Sequence, residues 1–346
     1  MCVEQEEIMT DRSQKEIATM EGQHFDIGLM GMWYGPNYGS VMTYYALNTI
    51  LKKMGYSVLM IDKHYSERDF ELDDQLHSRK FAKAHYENFF PAVLKEEHDV
   101  LNDYCDTFIL GSDQVWNYGV AKNFGRNFYF GFAADNKRKI SYGSSFGHAV
   151  SFTPISELPE ITRLLQRFDA ISVREDEAVN VLKDEFGIEG TQVLDPVFML
   201  TKEEYQTLIE ESTINEEEKY MLAYILNPTP EIRDMLVHIS EKKGLKLIVI
   251  LDGNKYKRPE FVEELNFPNI VDEIMTQDWL KYIQNAECVI TDSCHGASFT
   301  LLFERPLICL GNVQRGMSRF YSLTKLFEIS NRLFTEPSKV KNTWNC

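Results

Sequence analysis

No apolar run in the 346-residue chain approaches the ~20 residues a membrane-spanning helix needs. The six cysteines, at 2, 105, 288, 294, 309 and 346, form no C-x-x-C pair, which removes the usual redox and zinc spacings. No G-x-G-x-x-G and no Walker-type loop is present, so the two most specific nucleotide signatures are missing. The histidines at 64, 77, 85 and 98 have no metal-like spacing, and neither a metal nor a cofactor is expected. There is no tandem repeat and no low-complexity segment. Positive charge is scarce: 36 Lys and Arg against 53 Asp and Glu leave a formal charge of −17. That balance disfavours nucleic acid and anionic membrane surfaces as main partners, while leaving room for a local basic pocket that takes a phosphate. Residues 1–23 are polar and acidic without an apolar core, so they read as a frayed tail or loose helix rather than a signal peptide.

Hydrophobic residues make up 44% and aromatics 12%, ample for two packed cores, and the length suggests two domains. Three cysteines lie in or beside apolar strand-like runs, which fits buried thiols in a reducing cytoplasm. A nucleophilic Cys294 beside His295 has little support, because no second histidine or amide stands in a matching motif nearby. The stretch from Cys288 to Phe303 organises the chain. A short apolar strand, CVIT, enters a polar corner, Asp-Ser-Cys-His-Gly, and leaves as a helix whose apolar face carries Phe299, Leu302 and Phe303. Such a corner sits at the carboxyl end of a parallel strand, where open α/β sheets bind ligands. A helix N-terminus there suits an anion. Asp292 or Ser293 is the expected N-cap. His295 then either faces a bound anion or only completes the turn.

Upstream, strand FDIGLM leads into a Gly-rich loop at 31–40 and a helix that stops at Gly55, then a strand at 58–61: one βαβ unit. Asn37, Tyr38 and Gly39 either face a cleft at the first strand's carboxyl end or belong to a plain turn. Residues 64–105 interleave charges of both signs and read as a mostly solvated face. Strand DTFIL runs into Gly111-Ser112-Asp113-Gln114-Val115-Trp116-Asn117. Trp116 there either packs on the C–H face of a sugar, with Asp113 and Gln114 taking hydroxyls, or lies in the core under a capped turn. The next strand ends in Gly143-Ser144-Ser145, repeating the pattern of small hydroxyls at a strand end. Arg174 ends another strand and either holds a carboxylate or phosphate or pairs with Glu175 or Asp176. Residues 201–219 shift to acidic and polar composition and are expected as a linker, after which a second βαβ series begins at Tyr220. Asp252-Gly253-Asn254 falls in a loop, and Gly311-Asn312 ends a later strand. The expected organisation is a tail at 1–23, Rossmann-like domains at 24–200 and 220–330 around a central cleft, and a second tail at 331–346.

Seven segments together resemble the polysaccharide pyruvyl transferase family: N-Y-G-S with its helix at 37–50, F-I-L-G-S-D-Q-V-W-N at 108–117, S-Y-G-S-S-F-G at 141–147, S-V-R-E-D at 172–176, D-P-V-F at 195–198, T-D-S-C-H-G at 291–296 and R-x-x-S-R-F at 315–320. They run in order over roughly residues 25–330. The resemblance implies a glycosyltransferase-B-like α/β fold of two Rossmann-like domains. It implies phosphoenolpyruvate as co-substrate and a lipid-linked or nucleotide-linked glycan as acceptor. The product would be a pyruvate ketal on a capsular or exopolysaccharide sugar, made in the cytoplasm or at the inner face of the membrane. In many members the last motif reads R-L-H, whereas Ser293 and Cys294 stand before His295 here. Positive charge for the donor would then come from Arg174, Arg315 or Arg319, with Ser293, Cys294 and Gly296 lining the donor side. His295 is expected as general acid and Asp113 as the group that orients or deprotonates the acceptor hydroxyl. Asn37, Tyr38, Gly39, Gln114, Trp116, Ser144 and Ser145 are expected on the acceptor side. A nucleotide-sugar glycosyltransferase and a non-catalytic glycan-binding module remain alternatives.

Overall fold

The computed structural model describes residues 14–15, 17–62, 76–91, 95–251, 259–311 and 313–343. His64, Asp252-Gly253-Asn254, Asn312 and the end cysteines lie outside the described residues. The chain divides into two units: unit 1 holds residues up to Gly35 and Ser40–Met199, and unit 2 holds Pro36–Gly39 and everything from Leu200.

Unit 1 is built on β1 (Phe25–Met30), β2 (Val58–Ile61), β3 (Phe89–Phe90), β4 (Cys105–Leu110), β5 (Arg138–Ser144), β6 (Ala170–Val173) and β7 (Thr191–Gln192). Its seven strands lie in the order β3-β2-β1-β4-β5-β6-β7 and every pairing is parallel. A parallel sheet is covered on both faces, so its strands read as continuous apolar runs rather than alternating ones; Val58–Ile61 is buried at every position. Helix α1 (Tyr38–Lys53) follows β1, and α2 (Asp176–Phe186) follows β6 and stops at Gly187 in the left-handed conformation that glycine adopts without strain. The core gathers Phe108, Trp116, Phe128, Phe130 and Phe146, each worth roughly 1.5–3 kcal/mol when fully buried.

Unit 2 carries β8 (Tyr220–Tyr224), β9 (Lys246–Ile250), β10 (Cys288–Thr291), β11 (Leu307–Leu310) and β12 (Leu333–Phe334), in the order β12-β11-β10-β8-β9, again all parallel. Val249 also bridges in parallel to Ile270 on the free side of β9, where a third strand would lie. Both sheets thus follow the doubly wound order, and in each the strand order reverses once: between β1 and β4, and between β8 and β10.

The expected termini and linker are corrected by packing. Ile17 and Met20, inside the expected N-terminal tail, pack on the core of unit 1. The expected linker contains α3 (Lys202–Glu210), started by a reciprocal capping box of Thr201 and Glu204. Tyr205 of α3 packs edge-on against Phe299, and Ser212 hydrogen-bonds Asp278, so this segment is part of unit 2. The expected C-terminal tail supplies β12 and a helix, α8 (Pro337–Thr343), which packs on α4 (Pro230–Lys243) and buries Val340 completely. Acidic composition marks the solvent face of α3 and hides its apolar stripe of Tyr205, Leu208 and Ile209. The remaining labelled helices are α5 (Thr276–Asn285), α6 (Cys294–Leu302) and α7 (Ser318–Leu326).

Candidate functional site

In unit 2, β10 ends at Thr291, whose hydroxyl donates to the Tyr224 carbonyl at 2.6 Å and accepts from the Ser293 N–H at 3.0 Å. That pair of bonds fixes the corner. Ser293 is the N-cap of α6: its side chain accepts from Gly296 N–H at 3.2 Å. Asp292, the other candidate cap, does something different. Its carboxylate accepts from the N–H groups of Leu226 and Asn227 at 2.6 and 2.8 Å, joining the ends of β10 and β8. These are charge-assisted bonds across the crevice where the strand order reverses.

From there a chain of contacts encircles the N-terminus of α6. The Asn227 side-chain oxygen accepts from Arg315 Nε at 3.4 Å. The Arg315 carbonyl accepts from Arg319 Nη2 at 2.7 Å. The Arg319 carbonyl accepts from the Cys294 thiol at 3.9 Å. Arg315 is half-buried and Arg319 buried. His295 lies in the first turn of α6, buried at 4% exposure. Gly39 lies directly over it. Beside them Tyr38 stacks on Trp279 with centroids 5.9 Å apart and donates to the Ile274 carbonyl at 3.5 Å. Arg315 and Arg319 are thus linked to the α6 N-terminus through Asn227, Asp292 and Cys294, and His295 is the second residue of that helix.

Sequence reasoning named His295, Ser293, Cys294, Gly296, Arg315, Arg319, Tyr38 and Gly39, and unit 2 brings all of them together. Asn37 is half-buried in the same short segment. Asn227 was missed, and so was the bridging role of Asp292. The signal for Asn227 was its place directly after the apolar run of β8, before Pro228 and Pro230. The four cysteines among the described residues, Cys105, Cys288, Cys294 and Cys309, are buried; burial pushes the Cys105 thiol up to about 12 and the Cys309 thiol well above its ordinary value.

In unit 1 the strand ends hold a different array. Arg174 donates to Asp195 at 2.6 Å and to Glu175 at 3.2 Å, and lies 3.6 Å from Asp113. Asp195 also accepts from Thr43, Ser112 and the Val197 N–H. The Ser145 hydroxyl donates to Glu175 at 2.7 Å. Asp113, three residues beyond β4, has a φ of 81°, and its carboxylate accepts from the Gln114 N–H. Tyr44 fills the crevice between β1 and β4. Its hydroxyl donates to the Ser112 carbonyl at 2.7 Å, and a Cβ on Gly31 would sit 1.6 Å from its oxygen. Burial, with Asp113 and Asp195 nearby, pushes the Tyr44 phenol far above its ordinary value, so it stays a donor.

Several expectations are corrected here. Trp116 is fully buried and its indole N–H donates to the Phe128 carbonyl at 3.1 Å, so its face belongs to the core and not to a sugar. Ser144 is fully buried and donates to the Gly111 carbonyl; Ser145 is engaged by Glu175. Gln114 is half-buried, its side-chain oxygen accepting from Asn117 at 2.8 Å and packing on Gly147. Arg174 pairs with Glu175 and not with Asp176, and three carboxylates around one guanidinium offer no positive field to a phosphate, which removes it from the donor candidates. Among the described residues no cluster of three or more metal-ligating side chains occurs, and no helix is long and apolar enough to cross a membrane.

Comparison with known proteins gives three results. The structure is similar to a UDP-N-acetylglucosamine 2-epimerase from Rickettsia bellii, with a TM-score of 0.53 at 13% identity over 91% of each chain. It is also similar to the Methanocaldococcus jannaschii UDP-GlcNAc 2-epimerase in complex with UDP-GlcNAc and UDP, with a TM-score of 0.51 at 13% identity over 91% of this chain and 90% of that one. At such identities the likeness shows the fold, an α/β architecture of two Rossmann-like domains of glycosyltransferase-B type. No curated protein sequence matches the chain. The model of the polysaccharide pyruvyl transferase family matches residues 37–314, which takes in the Tyr38–Gly39 segment, β10 and the corner of α6, and ends just before Arg315. With most of its length matched, the chain belongs to the polysaccharide pyruvyl transferase family.

Proposed function

We propose that this protein transfers the enolpyruvyl group of phosphoenolpyruvate to a glycan sugar as a pyruvate ketal, in the assembly of a capsular or exopolysaccharide. The observation that carries the reading is the family match across residues 37–314, which includes the His295 corner. The ring of contacts in unit 2 supports it chemically. Phosphoenolpyruvate presents a phosphate and a carboxylate, and Arg315, Arg319 and the α6 N-terminus supply the complementary charge.

In the proposed reaction His295 delivers a proton to C3, leaving C2 electrophilic. One sugar hydroxyl attacks C2 and gives up its proton. The C2–O bond to phosphate breaks, and a second hydroxyl attacks C2 to close the ketal. One proton enters at C3, two leave the hydroxyls, and phosphate takes up the balance. Arg315 and Arg319 stabilise the departing phosphate. Asp113 remains the proposed partner of the acceptor hydroxyl, with its strained backbone as the supporting feature. The acceptor is proposed to be a lipid-linked or nucleotide-linked glycan, met in the cytoplasm or at the inner face of the membrane.

One of the epimerases named above is in complex with UDP-GlcNAc and UDP, which keeps a nucleotide-sugar donor as the reading to exclude. Incubation with a panel of lipid-linked and nitrophenyl glycosides, with phosphoenolpyruvate in one arm and UDP-sugars in the other, separates the two. Phosphate release that depends on both acceptor and phosphoenolpyruvate is the expected result. Acceptor-dependent UDP release would replace this reading with glycosyl transfer, and sugar binding without either product would replace it with a binding module.

A further inference from the structure

Gly39 occupies the second position of α1, where glycine costs the helix about 1 kcal/mol relative to alanine. Helix formation therefore does not explain it. Its surroundings do. A Cβ on Gly39 would lie 2.1 Å from His295 Cβ, 2.5 Å from Cγ and 2.7 Å from Nδ1. Contacts that short do not occur between carbon atoms in folded proteins, and turning χ1 of His295 leaves its Cβ where it is. Relief requires the α6 backbone or the Tyr38–Gly39 segment to move.

Both partners are held. Tyr38 is stacked on Trp279 and edge-on to Tyr224, and its hydroxyl reaches the Ile274 carbonyl. On the other side, Gly296 is pressed against Tyr224 and Thr291: a Cβ there would meet Thr291 Oγ1 at 2.7 Å and Tyr224 Cδ1 at 2.8 Å. The first turn of α6 is thus seated between two close approaches that only glycine permits, and the residue between them is His295.

We infer that Gly39 is a positioning residue: the missing side chain sets where the His295 imidazole sits, and so where it can place a proton. This rests on the proposed role of His295. It also replaces the expectation that Gly39 serves the acceptor.

The test is Gly39→Ala, alone and with His295→Gly, in the full-length protein. In the otherwise unchanged protein Gly39→Ala is expected to lower the melting temperature by roughly 5 °C through the clash. In the His295→Gly background, where the opposing Cβ is gone, the same change is expected to raise it by roughly 2 °C through helix propensity. The kcat of folded Gly39→Ala should fall about 100-fold, the scale of an ångström misplacement of a reacting group, with KM for phosphoenolpyruvate changed less than about threefold. An equal melting shift in both backgrounds, or a folded Gly39→Ala with unchanged kcat, would overturn the inference. A sign reversal in melting with full turnover in His295→Ala would remove the proposed acid, and the positioning role with it, while leaving the packing contact in place.

Discussion

In unit 1 the crevice between β1 and β4 is filled by the ring of Tyr44, and the strand ends beside it are tied by Arg174 to three carboxylates. In unit 2 the corresponding crevice between β8 and β10 is bridged by Asp292, and the neighbouring groups are two arginines, a helix N-terminus and His295. One topology has been used twice with opposite charge. In unit 1 the strand-end Arg174 is held by acids of its own unit, whereas in unit 2 Asp292 accepts from backbone N–H groups and the guanidinium groups of Arg315 and Arg319 donate to Asn227 and to the Arg315 carbonyl. Strand order alone nominates both crevices as ligand sites; the second is the one proposed for the anionic donor.

The largest effect expected from breaking this contrast is at His295. His295→Ala and His295→Gln should lower kcat by about 10²–10⁴-fold, with melting temperature little changed for Gln; wild-type turnover with a confirmed acceptor would remove the acid role. Next come the two kinds of arginine. Arg174→Met leaves buried carboxylates without their cation and should cost about 3–5 kcal/mol in urea unfolding. Arg315→Ala should cost little stability and raise KM for phosphoenolpyruvate about 10–100-fold, the worth of one charge-assisted bond. If the two variants exchange phenotypes, the assignment of donor charge to unit 2 is reversed.

Much of this contrast was readable beforehand, and the unread part has a physical cause. The apolar runs and their polar ends located the strands of both sheets except the two-residue edge strands β3 and β12, because parallel strands are buried on both faces and announce themselves. The corner at 291–296 was recognisable as a strand passing into a capped helix. Trp116 was misread because a tryptophan at a strand end serves a sugar or a core equally well, and only its bond to the Phe128 carbonyl decides. Arg174 was undecidable for a similar reason: Asp195, its tightest partner, is twenty-one residues away in sequence. Asn227 and the Asp292 bridge were missed because they join two strands 60-odd residues apart. Charge composition suggested a linker where α3 packs, since an amphipathic helix shows its polar face in a count.

Smaller effects refine the comparison. Tyr44→Phe removes one buried bond to the Ser112 carbonyl and should cost about 1 kcal/mol, with unchanged turnover, as befits a plug rather than a ligand group. A large turnover loss would make Tyr44 part of the reacting site rather than a plug. At the opposite, amino ends of β1 and β4, His24 and Asp106 form an exposed pair 2.9 Å apart. The hydrogen bond to Asp106 raises the His24 pKa above 6.5, and the same bond lowers that of Asp106. The stabilisation is therefore present below the unfolded histidine value and lost as pH rises through the raised one; it is also lost as pH falls through the depressed Asp106 value. His24→Ala should cost no more than about 0.5 kcal/mol at pH 5.5 and nothing by pH 9. An equal cost at both pH values would show packing rather than charge.

The most direct test of the central claim is stoichiometry. Phosphate released and pyruvate ketal gained by the acceptor are measured together, by colorimetry and mass spectrometry, after incubation with phosphoenolpyruvate. One ketal per phosphate, with both lost in His295→Ala, is the expected result. Phosphate without a ketal, or a ketal that survives His295→Ala at full rate, would contradict it.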